Sequence, residues 1–238
     1  MNSLSPIMAA SRRRFDPLSL SPALWLDASD AATLYDATTG GGLVSPDGTV
    51  ARWEDKSGNL RHLTQGTLAN RPARKTSIYN GRDILRFSGS GDLMTRTGFT
   101  VSNPVTVFAV VYLSGDVTGF RVAYGFGANV FAMGYNNTAQ LYAFSTTGIT
   151  VSRSRPTTLE ILSATSNVAS SSISANGVQT TGSIAAHSTT TLGISGNNIG
   201  ATHPSDFAEF MVFPTALSDS NRRNVEIYLS NKWGIALT

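Results

Sequence analysis

The chain has 238 residues, a net charge of +3 and a pI near 9.4, and 41% of its residues are hydrophobic. It contains no cysteine, which excludes disulfides, thiolate metal sites and a cysteine nucleophile. Only 14% of the residues are charged, against an average of about 25%, and the abundance of Ser, Thr and Gly favours strands and turns over helices. We therefore expect an ordered β-rich protein.

Residues 1–22 are polar and interrupted by prolines, so they predict an extended basic arm in front of a globular domain at residues 23–238. The arm is either solvated or docked onto another protein, and nucleic acid is a less favoured partner because no basic stripe continues downstream. We expect neither a signal peptide nor a membrane segment, since no stretch is apolar enough. The residues expected to make the arm's contacts are Arg12, Arg13, Arg14 and Phe15.

After residue 22, apolar runs alternate with turn residues at the spacing of a β-sandwich. The run Val105–Leu113 is the most apolar and predicts a central strand. Asn176-Gly177 predicts a tight hairpin. The predicted strands, roughly ten, cover residues 24–26, 50–53, 83–87, 105–113, 120–126, 130–135, 140–144, 157–165, 169–174, 190–194 and 207–213.

One segment near the C-terminus predicts a helix. Ser218 is suited to cap it, apolar residues recur at helical spacing from Val225 to Trp233, and Gly234 suits its end. No linker interrupts residues 100–215, so we expect one domain with the helix as a terminal clasp. We expect Glu209 to pair with Arg222 or Arg223, tying the last strand to the helix.

Six short motifs are spread along the chain. They are Leu24-Trp25-Leu26-Asp27-Ala28-Ser29-Asp30, Val50-x-x-Trp53-x-Asp55-Lys56-Ser57-Gly58-Asn59, Leu85-Arg86-Phe87-x-Gly89, Ala208-Glu209, Ala216-Leu217-Ser218-Asp219 and Tyr228-Leu229-x-x-Lys232-Trp233-Gly234. Together they resemble the laminin-G-like branch of the concanavalin A-like lectin and glucanase superfamily, a type found in bacteriophage structural proteins. The resemblance covers about residues 23–236. It implies an all-β, antiparallel, concanavalin A-like jelly-roll sandwich with one short C-terminal helix.

The segment Asp55, Ser57 and Asn59 has two interpretations. Short polar side chains at alternate positions satisfy backbone N–H groups in a tight turn, and alternating oxygens also suit Ca²⁺. We favour the turn, because the run is shorter than an EF-hand loop and lacks its terminal Glu. The three histidines are scattered and predict no zinc site. We therefore expect no cofactor, with Ca²⁺ as the alternative.

Catalysis by a retaining glucanase of this superfamily needs two carboxylates about 5–5.5 Å apart. On one strand that distance corresponds to residues two apart, which share a face. Met211 and Phe213 follow Glu209 at those positions, so the strand offers no pair. We therefore predict no catalytic residues and a protein that is not an enzyme.

Sugar recognition on such sandwiches combines an aromatic platform with amide or carboxylate side chains. The predicted meander offers one set of these residue types close together in sequence. The alternative is that its tyrosines are half-buried sheet residues and its asparagines form a turn. The candidate glycan-binding residues are Tyr124, Tyr135, Asn136, Asn137 and Tyr142.

With the resemblance, these observations predict a non-enzymatic bacteriophage virion protein, in a capsid-decoration, head-fibre or tail position. Its arm would bind other virion proteins, and its lectin-like sandwich would bind host surface polysaccharide. We expect a homo-oligomer at the particle surface. The alternative is a stand-alone carbohydrate-binding module or adhesin, and a weaker one is a glycan hydrolase.

Overall fold

The computed structural model describes residues 15–114, 121–127, 131–136, 140–153, 156–195 and 203–238. These residues form two antiparallel β-sheets packed face to face, with one α-helix at the C-terminal end. The predicted all-β sandwich with a C-terminal helix is thereby confirmed.

The described residues contain seventeen strands and the helix α1 (Asp219–Trp233). Many strands are short, and several follow each other with only a turn between them. In chain order the strands are β1 (Leu24–Asp27), β2 (Leu34–Tyr35), β3 (Arg52–Trp53), β4 (Leu63–Thr64), β5 (Ala73–Tyr79), β6 (Arg82–Ser88), β7 (Met94–Ser102), β8 (Val105–Leu113), β9 (Arg121–Phe126), β10 (Phe131–Tyr135), β11 (Gln140–Phe144), β12 (Gly148–Ser152), β13 (Glu160–Ser166), β14 (Ser171–Ala175), β15 (Val178–Gly182), β16 (Ser188–Ile194) and β17 (Pro204–Phe213).

The first sheet has the order β15-β14-β13-β8-β17-β6-β5, and β1 also pairs with β17. The second sheet has the order β12-β11-β10-β9-β16-β7-β4-β3-β2. Neighbours in space are often distant in sequence, as with β8 and β17, which lie side by side at the centre of the first sheet. This crossing back and forth gives the jelly-roll character that the sequence predicts.

Apolar side chains fill the space between the sheets. On β8, Val107, Ala109 and Val111 point into this space, because side chains alternate across a strand. The second sheet contributes large rings such as Phe126 and Phe131, which stack with centroids 5.9 Å apart. The core therefore lies between the sheets, as in other sandwiches.

A second apolar layer covers the outer face of the first sheet. Phe108 and Val110 of β8 point outward into it, where Val225, Leu229 and Trp233 of α1 cover them. Because β8 is buried on both faces, its sequence is an almost continuous run of apolar residues. Helix α1 therefore packs on the sheet as part of the fold.

The ends of α1 follow the capping rules that its sequence predicts. The Oγ of Ser218 accepts a hydrogen bond from the backbone N–H of Asn221. Gly234 ends the helix in the left-handed conformation, at φ 70°. Within the described part of the chain, no helix has the length and apolar character needed to cross a membrane.

Part of the predicted arm lies on this outer layer. Residues Pro17–Leu20 form a short 3-10 helix, and the ring of Phe15 meets the ring of Tyr228 edge-on at 6.5 Å. The neighbouring Arg12, Arg13 and Arg14 lie outside the described residues. The arm's role in assembly stays a prediction.

Candidate functional site

Four of the six motifs that carry the family resemblance meet at one place in the fold. Strand β1 brings Trp25 and Asp27, the turn after β3 brings Lys56, β17 brings Glu209, and α1 brings Lys232. These residues are up to 207 positions apart in the chain, yet their side chains form one charge cluster on the outer face of the first sheet. Tertiary structure assembles the cluster.

Two carboxylates lie side by side in this cluster. Asp27 and Glu209 are direct cross-strand partners of β1 and β17. The ammonium group of Lys232 is 2.8 Å from Asp27 Oδ2 and 2.8 Å from Glu209 Oε2, so it bridges them. The two oxygens thus lie within twice that distance of each other. No single strand contains this pair, because its members belong to strands from opposite ends of the sequence.

Glu209 is saturated with donors. Its Oε1 accepts hydrogen bonds from Trp25 Nε1 at 2.7 Å and Tyr228 Oη at 3.2 Å. Its Oε2 accepts a hydrogen bond from Trp233 Nε1 at 2.7 Å, in addition to the contact with Lys232. These hydrogen bonds anchor the helix and the two tryptophans to the sheet. Glu209 is 1% exposed and Asp27 is 4% exposed, so Asp27 lies nearer the surface.

The predicted pairing of Glu209 with Arg222 or Arg223 is wrong. Both arginines bind Glu226, one turn further along their own helix, and the Arg223 distance is 3.4 Å. The cation that reaches Glu209 is Lys232, at the other end of α1. The helix is tied to the last strand as expected, but from its C-terminal turn.

The two carboxylates have pKa values shifted in opposite directions. Burial alone would raise the pKa of Asp27, but the positive charges of Lys232 and Lys56 outweigh burial and lower it. Burial and the neighbouring charge of Asp27 raise the pKa of Glu209, against the opposing effect of Lys232. Of the two carboxylates, Asp27 therefore keeps its negative charge to lower pH.

A shallow pocket of about 490 Å³ opens above this cluster. Three aromatic rings border it: Trp25 and Tyr228 meet edge-on at 6.3 Å, and Phe15 continues the row. Lys56 Nζ lies 5.0 Å from the centre of the Trp25 ring and 2.7 Å from Asp30 Oδ2. The lining residues are Phe15, Asp16, Pro17, Trp25, Asp27, Ser29, Asp30, Lys56, Arg82, Tyr228 and Lys232.

This arrangement suits a sugar. Ring C–H groups of a sugar pack on aromatic faces and edges, while carboxylates and an ammonium group bond its hydroxyls. Asp30 and Lys56 are both partly exposed at the mouth, so they can exchange their mutual contact for a ligand. We name this site the Trp25–Tyr228 pocket.

The candidate platform formed by Tyr124 and Tyr135 needs correction. Both side chains are fully buried between the sheets, at 0% exposure. Tyr124 packs against Phe210 at 5.2 Å, and the hydroxyl of Tyr135 donates to Glu160 Oε2 at 2.9 Å. A ring enclosed by the core cannot stack on a sugar.

The remaining members of that candidate set do not form a platform either. Tyr142 is 3% exposed, so its ring offers no surface to a ligand. Asn136 accepts a hydrogen bond from the backbone N–H of Gln140 at 2.9 Å and links the ends of β10 and β11. Asn137 lies outside the described residues. The described members of the set therefore fit the alternative interpretation, in which the tyrosines are sheet residues and Asn136 belongs to a turn.

The Asp55–Ser57–Asn59 segment forms a hydrogen-bonded turn. Asp55 Oδ1 accepts from the backbone N–H of Trp25 at 2.9 Å and of Ser57 at 2.8 Å, and Oδ2 accepts from the N–H of Arg61 at 3.0 Å. Asn59 turns its amide N–H toward Ser57 Oγ at 2.9 Å. The two carboxylate oxygens of Asp55 and the Oγ of Ser57 thus accept hydrogen bonds within the turn. The described residues contain no cluster of three or more His, Asp or Glu suited to a metal.

Comparison with known proteins finds similarity in structure alone. No family model matches the chain, and no curated protein matches its sequence. Trypanosoma rangeli sialidase, solved with a difluoro-KDN ligand, aligns with a TM-score of 0.56 and 12% identity over 90% of this chain and 37% of its own. A GH54 α-L-arabinofuranosidase aligns with a TM-score of 0.66 and 13% identity over 92% of this chain and 66% of its own.

A third similar structure is the ligand-binding domain of botulinum neurotoxin serotype D, solved with N-acetylneuraminic acid. It aligns with a TM-score of 0.59 and 13% identity over 92% of this chain and 55% of its own. The chain therefore spans about a third to two thirds of the proteins it resembles. At this identity the comparison establishes a shared β-sandwich fold, while the narrower laminin-G-like assignment stays a prediction.

These comparisons also contradict the prediction that the chain is not an enzyme. The similar structures include a sialidase and an arabinofuranosidase, so proteins that process glycans contain this fold. The fold also holds a carboxylate pair, Asp27 and Glu209, whose members lie on two different strands. The chain has the β-sandwich fold that occurs in glycan-binding and glycan-processing proteins.

Proposed function

We propose that this chain is a glycan-recognition module and that the Trp25–Tyr228 pocket holds a sugar unit. The observation that carries the proposal is the composition of the pocket lining. The rings of Phe15, Trp25 and Tyr228 lie beside the carboxylates of Asp27 and Asp30 and the ammonium groups of Lys56 and Lys232. The similar structures act on or bind sugars by name, which supports the same ligand class.

The pocket is built for recognition by its rigid floor. Asp27 is held by Ser29, Lys56 and Lys232, so its position does not depend on a ligand. Preorganised polar groups lose little entropy when a ligand binds. The exposed pair of Asp30 and Lys56 supplies both an acceptor and a donor for hydroxyl groups.

A glycan array followed by calorimetry on the best ligand tests this proposal. We expect Tyr228→Ala to weaken binding several-fold to about tenfold, because an aromatic contact contributes about 0.5–1.5 kcal/mol. Ile227→Ala is the matched control: Ile227 is the neighbouring residue on α1, is 44% exposed and lies outside the pocket lining. Equal loss in both variants, or binding unaffected in both, would contradict the proposal. Reducing-sugar release from the same glycans separates recognition from processing.

The finer proposal is that this module belongs to a bacteriophage virion. It rests on the laminin-G-like resemblance and on the basic residues at 12–14. Deletion of residues 1–14 leaves Phe15 and the pocket in place, so we expect the variant to bind glycan and to fail to join the particle. Incorporation at the normal level would remove the arm from this proposal.

A further inference from the structure

We infer that a second groove, on the same face of the first sheet, binds a carboxylate-bearing sugar unit of the glycan. This inference rests on the proposed function and names the ligand class more closely. The groove has a volume of about 620 Å³ and lies where β5, β6, β8 and β17 run side by side. We call it the Arg86 groove.

A row of side chains crosses four strands at the floor of this groove. Asp206 of β17 is the cross-strand partner of Tyr112 on one side and of Arg86 on the other, and Arg86 is in turn opposite Ala73. Partners in neighbouring strands present their side chains on the same face. The row therefore places an aromatic ring, a carboxylate and a guanidinium next to one another.

Asp206 is already neutralised within the row. Arg86 Nε donates to its Oδ1 at 2.7 Å, Arg86 Nη2 donates to its Oδ2 at 2.8 Å, and Tyr79 donates to Oδ2 at 3.2 Å. Asp206 is 5% exposed, so it presents little negative charge to the groove. Its role is to hold the guanidinium plane in one orientation.

Arg86 keeps capacity for a ligand. Its side chain is 45% exposed, and within the described ranges no hydrogen bond uses its Nη1. The contact with Asp206 raises the pKa of Arg86, so the group stays charged. A fixed guanidinium with a free donor is suited to bind a carboxylate.

A second cation faces the same groove. Lys75 lines it, and the partner of Lys75 is Asp47, at 2.7 Å. Asp47 is 71% exposed, and ion pairs at such exposed positions are weak, so a ligand carboxylate can replace it. The accessible charge of the groove is therefore positive. Three cations line it, Arg71, Lys75 and Arg86, whereas the carboxylates of Asp92 and Asp206 are each only 5% exposed.

The aromatic side chain of Tyr112 in the groove favours a sugar over an inorganic anion as the ligand. Tyr112 is half-buried beside Asp206 and lines the groove, so its ring borders the space next to the guanidinium. A sugar ring can pack on Tyr112 while its carboxylate reaches Arg86. An inorganic anion would use the cations and leave the ring unused.

One strand, β6, contributes a lining residue both to the groove and to the Trp25–Tyr228 pocket. Arg82 lines the pocket and Arg86 lines the groove, both on β6. Four residues along a strand span about 13 Å, and both side chains lie on one face. One oligosaccharide can therefore occupy both sites, with its acidic unit at Arg86.

Calorimetry with trigalacturonate and 3′-sialyllactose, each as the free acid and as its methyl ester, tests this inference. We expect at least one free acid to bind about tenfold or more tightly than its ester. Lys75→Gln and the double variant Arg86→Gln with Asp206→Asn should bring that ratio toward one. The double variant removes both charges of the Arg86–Asp206 ion pair together, and Lys75→Gln leaves that pair intact, so the test does not depend on one variant folding.

Arg223→Gln is the charge-matched control, since Arg223 is 42% exposed on α1 and lines neither site. It should keep the acid-to-ester ratio of the natural chain. Equal binding of acid and ester by the natural chain, or a ratio unchanged in both groove variants, would overturn the inference while leaving the proposed function standing. Binding of neither form overturns the inference, and the proposed function is then decided by the glycan array alone.

Discussion

At the scale of single residues, two buried carboxylates accept hydrogen bonds from donors on other elements of the fold. Glu160, at 0% exposure, accepts hydrogen bonds from Tyr135 on the opposite sheet and from Arg153. Glu209 joins two strands and the helix in the same way. A carboxylate in a core is tolerated only when donors replace water, so each such residue also fixes the relative position of the elements it joins.

His187 provides a pH test at this scale. It is 7% exposed, its ring stacks on Phe131 at 4.5 Å, and burial lowers its pKa to about 4. The unfolded chain binds this proton near pH 6.5 and the folded chain does not, so stability is full above pH 6.5 and falls between pH 6.5 and about 4. The slope from this residue is at most about 1.4 kcal/mol per pH unit.

Urea unfolding at pH 7, 6 and 5 measures this effect. His187→Gln should reduce the loss of unfolding free energy between pH 7 and 5. His62→Gln is the control, because His62 is partly exposed and should leave most of the loss in place. If His187→Gln showed the same decline as the natural chain, the buried neutral histidine would not be its source.

At the scale of elements, some strands are specified by the apolar pattern of their own sequence and others by their pairing with neighbouring strands. The run Val105–Leu113 coincides with β8, and Gln140–Phe144 with β11. In contrast, β5, β7 and β12 were not predicted, because their residues are largely polar or partly exposed. Backbone hydrogen bonds with β6, β16 and β11 define them, and such pairing leaves little trace in a single sequence.

The attachment of α1 to the sheet gives a test at this scale. Lys232→Met removes the cation between Asp27 and Glu209, leaving their buried carboxylates short of charge compensation. We expect a loss of about 3–5 kcal/mol in the free energy of unfolding. Arg223→Met, on the same helix and 42% exposed, should cost about 0–1 kcal/mol. Chemical denaturation of both variants at pH 7 measures the difference, and similar losses would refute the bridging role of Lys232.

At the scale of the whole molecule, the central strand β17, like β8, belongs to both apolar layers. Phe210 and Val212 of β17 face the space between the sheets, whereas Met211 and Phe213 face the layer under α1. Neither layer can open without disturbing this central strand. We therefore expect the sandwich and its helix to unfold as one cooperative unit.

The three tryptophans report on the two layers separately. Trp53 lies between the sheets, while Trp25 and Trp233 lie under and on α1. Trp53→Phe leaves only the tryptophans of the outer layer, and Trp25→Phe with Trp233→Phe leaves only the one between the sheets. In each variant we expect the urea transition measured by tryptophan fluorescence to coincide with the transition measured by circular dichroism. A tryptophan signal that changes at lower urea than the circular dichroism would show that one layer melts first.

The amino-acid sequence by itself determined the class of fold, the central strand and the capped terminal helix. These features depend on periodicity and on local backbone chemistry, at Val105–Leu113, Ser218 and Gly234. It also contained every member of the charge cluster within recognisable motifs. Their meeting was decided only by tertiary structure, because the register that sets Asp27 beside Glu209 arises from β1 pairing with a strand nearly two hundred residues away. Which tyrosines face a ligand was likewise decided by tertiary structure. Tyr124, Tyr135 and Tyr142 are buried by the packing of the sheets, whereas Tyr228 lines the pocket although its sequence predicts only a helical residue.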